Sequence, residues 1–332
     1  MLADERFTTL GSDLRICRIL NGMWQVSGAH GAIDPAAALA AMRRYHDAGF
    51  TTWDLADHYG PAEDFVGQFR QELADDADSM VALTKWVPRP GPMTRPTVQQ
   101  AIERSLRRMG TESLDLLQFH WWVYRDEGYL DALKQMADMR AEGSIRQLGL
   151  TNFDTQHVAR IIDAGIPVVS NQVQYSLIDR RPEVRMAPYC SEHGVGLLAY
   201  GALCGGLISE AYLDRPEPGH WELSTASLQK YKQMVDAWGG WPRFQTLLAT
   251  VKQVADKHGV TMANVATRFI LERPAVAGVI LGARLGVSDH FTENAGIFGW
   301  MLDTDDTAML EAASSQGNNL FASIGDCGDE YR

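Results

Sequence analysis

Residues 80–120 read MVALTKWVPRPGPMTRPTVQQAIERSLRRMGTESLDLLQFH, and their pattern decides the fold. Met80 to Trp86 is a nearly continuous apolar run, as expected of a strand buried on both faces. Pro96 then opens a helix whose Val98, Ile102, Leu106 and Met109 recur at helical spacing, and Gly110 stands where a left-handed cap belongs. Leu114 to His120 is the next apolar run. Strand, amphipathic helix and strand in that order make one crossover unit of a parallel sheet.

The same order repeats on both sides. Upstream, Leu20 to Trp24 precedes a helix opened by Asp34-Pro35, with Leu39, Met42 and Tyr45 on one face and Gly49 beyond its end. Thr52 to Ala56 precedes a helix from Pro61 to Ala74. Downstream, a helix from Leu130 to Glu142 leads to the strand Arg146 to Thr151, and a helix between Asp154 and Gly165 leads to Val168 to Val173. A helix from Pro182 to Gly194, the strand Gly196 to Tyr200, and an eighth strand, Ala277 to Ala283, before a helix from Ser288 complete the series. Eight such units predict an α/β chain folded as a (β/α)8 TIM barrel, with a doubly wound open sheet as the rival.

Phe7 to Ile19, turning at Gly11-Ser12-Asp13, predicts an N-terminal β-hairpin. Extra helices are expected after the seventh strand, at Phe244 to His258 and Met262 to Glu272, and at the C-terminus from Asp303. A polar, Pro/Gly-rich loop over 204–242 and an irregular tail over 317–332 finish one domain spanning 1–332. Loops of that length usually serve a site.

The formal charge of -12 argues against nucleic acid or an anionic membrane as partner. Cys17, Cys190, Cys204 and Cys327 are far apart, with no C-x-x-C pair, so no metal site is expected. No run approaches a membrane span, and MLADERFTTLGSDLR carries charge where a signal peptide is apolar, which predicts a cytoplasmic protein of undetermined oligomeric state. Gly194-Val195-Gly196-Leu197-Leu198-Ala199 fits G-x-G-x-x-A, but it precedes a strand instead of joining a strand to a helix.

A barrel of this kind carries its active site at the C-terminal strand ends. Asp54, Lys85 and His120 lie at the ends of the second, third and fourth strands, and Tyr59 follows Asp54 in the same loop. Alone, each has an ordinary structural role; together they make chemical sense. A phenol titrates near 10, too high for efficient proton exchange at neutral pH. An ammonium beside it lowers that value, and a carboxylate holds the ammonium charged and oriented. Tyr59, Lys85 and Asp54 fit those parts, with His120 positioned to orient a carbonyl. Asp57 and His58 compete for the same roles without a strand-end position. Trp24, Trp86, Trp121, Trp122 and Tyr124 follow strands and are candidates to wall a substrate, or simply to pack loops on the barrel.

WDLADHYG (53–60), LTKW (83–86), LDLLQFH (114–120), IRQLGLTNF (145–153), NQVQYS (171–176) and GVILGARLGVSDHFTEN (278–294) together resemble the aldo-keto reductase superfamily, in order and over essentially the whole chain. The resemblance implies a barrel that binds NADP(H), with NAD(H) as the alternative, and transfers hydride to or from an aldehyde, ketone or sugar hemiacetal. It makes Tyr59 the general acid and base, tuned by Lys85 and Asp54, with His120 orienting the carbonyl; by their positions after strands, Trp24, Trp86 and Trp121 are expected to face the substrate with His120.

The resemblance also assigns the cofactor. Gly22, Met23, Trp24, Asp54, Thr151, Asn152, Gln172 and Tyr200 fall at the nicotinamide, Tyr200 as the ring that stacks on it. Gly201, Leu203 and Gly205 fall at the pyrophosphate, where small residues permit close approach. Gly282, Ala283, Arg284, His290, Glu293 and Asn294 fall at the adenylate end, with Arg284 as partner for a 2′-phosphate and the helix from Ser288 favouring an anion. The sequence departs from the family at Gly201-Ala202, where Ser-Pro is typical, and at Leu281, where Pro is frequent, which bears on NADP against NAD. Two alternatives follow: an NAD(P)-dependent aldose dehydrogenase, and a cofactor-sensing regulatory subunit resembling the β subunits of potassium channels.

Overall fold

A computed structural model of the chain describes residues 4–28 and 33–331. Arg332, the last residue of the expected tail, lies outside them, as do residues 1–3 and 29–32. A hairpin of β1 (Phe7–Leu10) and β2 (Leu14–Cys17) comes first. The barrel strands are β3 (Ile19–Gly22), β4 (Thr52–Asp54), β5 (Val81–Trp86), β6 (Leu114–His120), β7 (Ile145–Thr151), β8 (Val168–Gln174), β9 (Gly196–Tyr200) and β10 (Val276–Gly282). They are parallel and close in the order β10-β3-β4-β5-β6-β7-β8-β9, so the eighth barrel strand pairs with both the first and the seventh. The open sheet is thereby excluded.

The helices on the outside are α1 (Pro35–Asp47), α2 (Ala62–Leu73), α3 (Arg95–Met109), α4 (Gly128–Ala141), α5 (Thr155–Asp163) and α6 (Met186–His193). Those after β9 are α7 (Ala226–Trp238), α8 (Trp241–His258) and α9 (Met262–Leu271), and those after β10 are α10 (Phe291–Ala295), α11 (Thr304–Ser314) and α12 (Leu320–Ile324). Side-chain caps begin several of them. Asp34 accepts from the Ala37 amide, Asp154 from His157 and Asp303 from Asp306, each worth about 1 kcal/mol. Two cores result from the period-two alternation of the strands. Leu20, Leu83, Leu116 and Leu198 fill the barrel and meet Leu10, Leu14 and Ile16 of the hairpin, which plugs the N-terminal end. The larger core lies between strands and helices. Among the described residues, the hairpin thus closes the N-terminal end and leaves the C-terminal rim as the mouth.

Three expectations need correction. The 204–242 segment is not all loop: Thr225 caps α7, and Tyr231, Met234, Val235 and Trp238 recur at helical spacing on its buried face. The prolines and glycines on either side of that spacing hid it. The helix expected from Ser288 is only the five-residue α10, because Arg284 to Ser288 form a turn in which the Val287 and Ser288 amides donate to the Arg284 carbonyl. Pro182 opens a short 3-10 turn, Arg181–Glu183, and α6 begins only at Met186.

Candidate active site

Strand parity decides which side chains reach the mouth. On β5, Leu83 lies in the inner core and Lys85 follows it by two, while Ala82 and Trp86 pack in the outer core. On β6, Leu116, Gln118 and His120 face inward, and Leu117, Phe119 and Trp121 face the helices. Trp86 and Trp121, expected to face a substrate, are therefore outer-core residues. Trp121 is fully buried, and its Nε1 donates to the carbonyls of Val123 and Asp126. Trp122 stands beside His120 instead: it is 38% exposed, and its ring centre lies 4.2 Å from that of His120.

Asp54 is the hub of the mouth. Its Oδ2 accepts from Lys85 Nζ at 2.7 Å, and its Oδ1 accepts from Gln118 Nε2 at 3.0 Å and Gln172 Nε2 at 2.7 Å. Lys85 Nζ also donates to the Leu55 carbonyl at 2.9 Å. Gln118 escaped the sequence argument, although its place two residues before His120 on one strand was a signal. Both members of the ion pair are buried. Burial lowers the Lys85 ammonium from its ordinary value, against the opposing pull of Asp54.

Tyr59 lies in the turn after β4, its ring centre 5.1 Å from Lys85 Nζ. Burial first, and then the charge of Asp54, raise its phenol above the ordinary value. Asp54, 2.7 Å from the ammonium, counters part of the lowering that Lys85 exerts on the phenol. Tyr59 consequently holds its proton at neutral pH. Asp57 and His58 turn toward each other, with 3.0 Å between Oδ1 and Nδ1.

The C-terminal tail reaches this mouth through Glu330 and Tyr331, in keeping with the expectation that the long loop and tail serve a site. Tyr200 Oη donates to Asn152 Oδ1 at 2.9 Å and lies 3.3 Å from Glu330 Oε1 and 3.2 Å from the Tyr331 hydroxyl. Lys230 of α7 bonds the Tyr331 hydroxyl, and its Nζ lies 5.1 Å from the Tyr200 ring centre. The buried Arg181 anchors the tail through Glu330 at 2.9 Å and the Asp326 carbonyl at 3.1 Å.

The sequence profile of the aldo/keto reductase family matches residues 18–315. The chain belongs to this family. It is 27% identical over 305 residues to the aldo-keto reductase YhdN of Bacillus subtilis, covering 87% of each chain. It is 24% identical over 339 residues to an L-glyceraldehyde 3-phosphate reductase of Escherichia coli O157:H7, covering 95% of this chain and 94% of that one. A glycerol dehydrogenase from Gluconobacter oxydans superposes with a TM-score of 0.79 at 21% identity, covering 97% of each chain, a likeness of fold. As an aldo/keto reductase, the protein is an oxidoreductase acting on carbonyl compounds.

Members of the aldo/keto reductase family generally use a nicotinamide cofactor, and the residues at the two ends of the expected site differ in how they fit one. At the expected nicotinamide end, Thr151 Oγ1 is buried with no hydrogen-bond partner among the described residues. Asn152 beside it holds a left-handed backbone, φ 57°, a conformation that asparagine tolerates and that concentrates at ligand sites. Gln172 gives its amide nitrogen to Asp54 and to Gln118 Oε1, which leaves its oxygen for a ligand. Gly22 pairs with Gly282 where the first and last barrel strands meet. Trp24 is half-buried in the turn that follows β3, whereas Met23 points into the outer core and offers only backbone.

Where a pyrophosphate was expected, the glycines have another use. A Cβ on Gly201 would collide with the Tyr231 hydroxyl, and one on Gly205 would come within 2.9 Å of the Ser227 backbone, so both make room for α7. Leu203 is half-buried in the same turn. Farther out, Ala283 is buried, with its amide on the Gly22 carbonyl at 2.8 Å, and Arg284 is exposed. His290 Nδ1 pairs with Glu293 Oε2 at 3.0 Å, and Asn294 is half-buried beside them. The short α10 supplies no helix N-terminus of the length an anion site needs. Among the described residues no helix is long and apolar enough to cross a membrane.

Proposed function

We propose that this aldo/keto reductase transfers hydride between NADP(H) and an aldehyde, ketone or sugar hemiacetal, with Tyr59 as general acid and base, on one barrel domain in the cytoplasm. The observation that carries the reading is the buried Asp54–Lys85 pair, 2.7 Å long, with the Lys85 ammonium 5.1 Å from the Tyr59 ring centre. When bound, the reduced nicotinamide supplies the hydride. The chain's own residues supply the rest. His120 receives the carbonyl oxygen and fixes its direction, and Tyr59 gives its proton to that oxygen as negative charge develops. Lys85 stabilises the phenolate left behind, and Asp54 keeps the ammonium charged and aimed. In the oxidative direction the same phenolate accepts the alcohol proton.

Thr151, Asn152 and Gln172 are the groups for a carboxamide, and the exposed Arg284 is the cation for a 2′-phosphate, which favours NADP over NAD. Four free, buried cysteines agree with a reducing compartment. The test is turnover of NADPH and of NADH with a panel of aldehydes and aldoses by wild type, Tyr59→Phe and Arg284→Ala. Turnover lost in Tyr59→Phe, and an NADPH preference lost in Arg284→Ala, are the expected results. Turnover that survives Tyr59→Phe overturns the acid/base assignment.

A further inference from the structure

The turn that carries Tyr59 is held from two sides, and only the inner side belongs to the site described above. On that side the Asp57 amide donates to the Lys85 carbonyl at 2.9 Å. On the outer side stands Arg108, in the last turn of α3. Its Nη1 donates to the Asp57 carbonyl at 3.0 Å and its Nη2 to the Gly60 carbonyl at 2.6 Å, so one guanidinium brackets the turn on both sides of Tyr59.

Arg108 is itself fixed. Nη1 donates to Glu63 Oε2 at 3.0 Å, and Nε and Nη2 form a fork on the Asp64 carboxylate at 3.1 and 2.8 Å. Glu63 is fully buried, and its other oxygen accepts from Thr84 Oγ1 at 2.8 Å. A buried carboxylate at that position is costly unless paired, and its partners tie α2, α3 and β5 to the turn. Thr84 is the residue before Lys85 and faces the opposite side of the strand. The backbone is shaped for the same contact: a Cβ on Gly67 of α2 would collide with the Arg108 carbonyl, so glycine there lets α3 lie close enough. The planar fork of arginine can reach two carbonyls and two carboxylates at once, which lysine's single ammonium cannot.

We propose that Arg108 is a positioning residue for Tyr59: its guanidinium, held by Glu63 and Asp64, grips the Asp57 and Gly60 carbonyls and so fixes where the phenol stands relative to Lys85. The proposal rests on Tyr59 as the proton donor, and its test separates the two claims. The protein is labelled with 3-fluorotyrosine, the Tyr59 resonance among ten tyrosines is assigned with Tyr59→Phe, and Arg108→Lys and Arg108→Met are compared with Arg70→Lys. Arg70 pairs with Asp115 at 2.7 Å away from the turn, so its variant reports general destabilisation.

The Tyr59 resonance shifts or splits in both Arg108 variants and stays in place in Arg70→Lys. In turnover, kcat falls about 10–100-fold, the loss expected of a misplacement near 1 Å, while KM for the cofactor changes less than about twofold. Arg108→Lys decides the matter should Arg108→Met fail to fold. An unchanged Tyr59 resonance in Arg108→Lys overturns the proposal, whether or not the protein turns over; absence of turnover in wild type overturns only the assigned reaction.

Discussion

Asp54→Asn keeps the size of the side chain and removes its charge, which isolates the electrostatic work of the hub. Asp54 takes three donors: Lys85 on one oxygen, Gln118 and Gln172 on the other. An asparagine has one oxygen and an amide that itself donates, so either the glutamines or the lysine lose their acceptor. Lys85 is only 2% exposed. Leaving a buried charge without its partner costs about 3–5 kcal/mol. The alternative is for Lys85 to release its proton, and from an unfolded value near 10.4 this costs about 4.6 kcal/mol at pH 7. Both routes give the same size of deficit. For a chain of this length it corresponds to a fall in Tm of roughly 6–10 °C at about 2 °C per kcal/mol.

The sign of the pH dependence follows. In the variant the folded Lys85 value lies far below the unfolded one, so the unfolded state binds more protons and relative stability rises with pH. The proton-release cost shrinks to about 1.2 kcal/mol at pH 9.5, and the Tm gap closes to roughly 2–3 °C. Thermal unfolding followed by tryptophan emission at both pH values measures this. Asp54→Asn/Lys85→Met recovers most of the loss, since the stranded charge is gone. A Tm gap of equal size at pH 7 and pH 9.5 would refute the argument.

The two neighbouring tryptophans separate by function. Trp122→Ala is expected to raise KM for a carbonyl substrate about tenfold through loss of an apolar contact. Trp121→Phe leaves that KM unchanged and lowers Tm by roughly 2–6 °C, because the Val123 and Asp126 carbonyls lose their donor. Truncation after Gly325 removes the ring that lies 5.6 Å from Trp122, so acrylamide quenching of Trp122, isolated by difference against Trp122→Phe, rises about twofold. Unchanged quenching would show that the tail leaves Trp122 uncovered.

The strand order and the four residues at the mouth were legible because both follow from short-range pattern. Apolar runs and caps mark the strands and helices, and a strand end marks the rim. Trp86 and Trp121 pack in the outer core, and the sequence already held that placement: if Lys85 and His120 face inward, parity sends Trp86 and Trp121 outward. Helix α7 was legible in Tyr231, Met234, Val235 and Trp238, but prolines and glycines at 216–219 and 239–242 dominated its neighbourhood. Tyr331 was not legible at all. Its position depends on Arg181 gripping Glu330 across 149 residues, and pairing over that distance leaves no periodic trace.

Tyr59 sits where two polar networks meet, one inside the barrel and one outside. Asp54, Lys85, Gln118 and Gln172 join β4, β5, β6 and β8 across the inner space. Glu63, Thr84 and Arg108 join α2, β5 and α3 behind the wall. The two share β5, where consecutive residues Thr84 and Lys85 face opposite ways and each anchors one network. A displacement of that strand must therefore move both supports of the turn together. The Tyr59 phenol and the Lys85 ammonium are thus both referred to one backbone segment, with side chains on its inner face holding the ammonium and side chains on its outer face holding the turn. Neither network could do this alone: the inner one holds the ammonium and not the phenol, and the outer one holds the turn and not the charge.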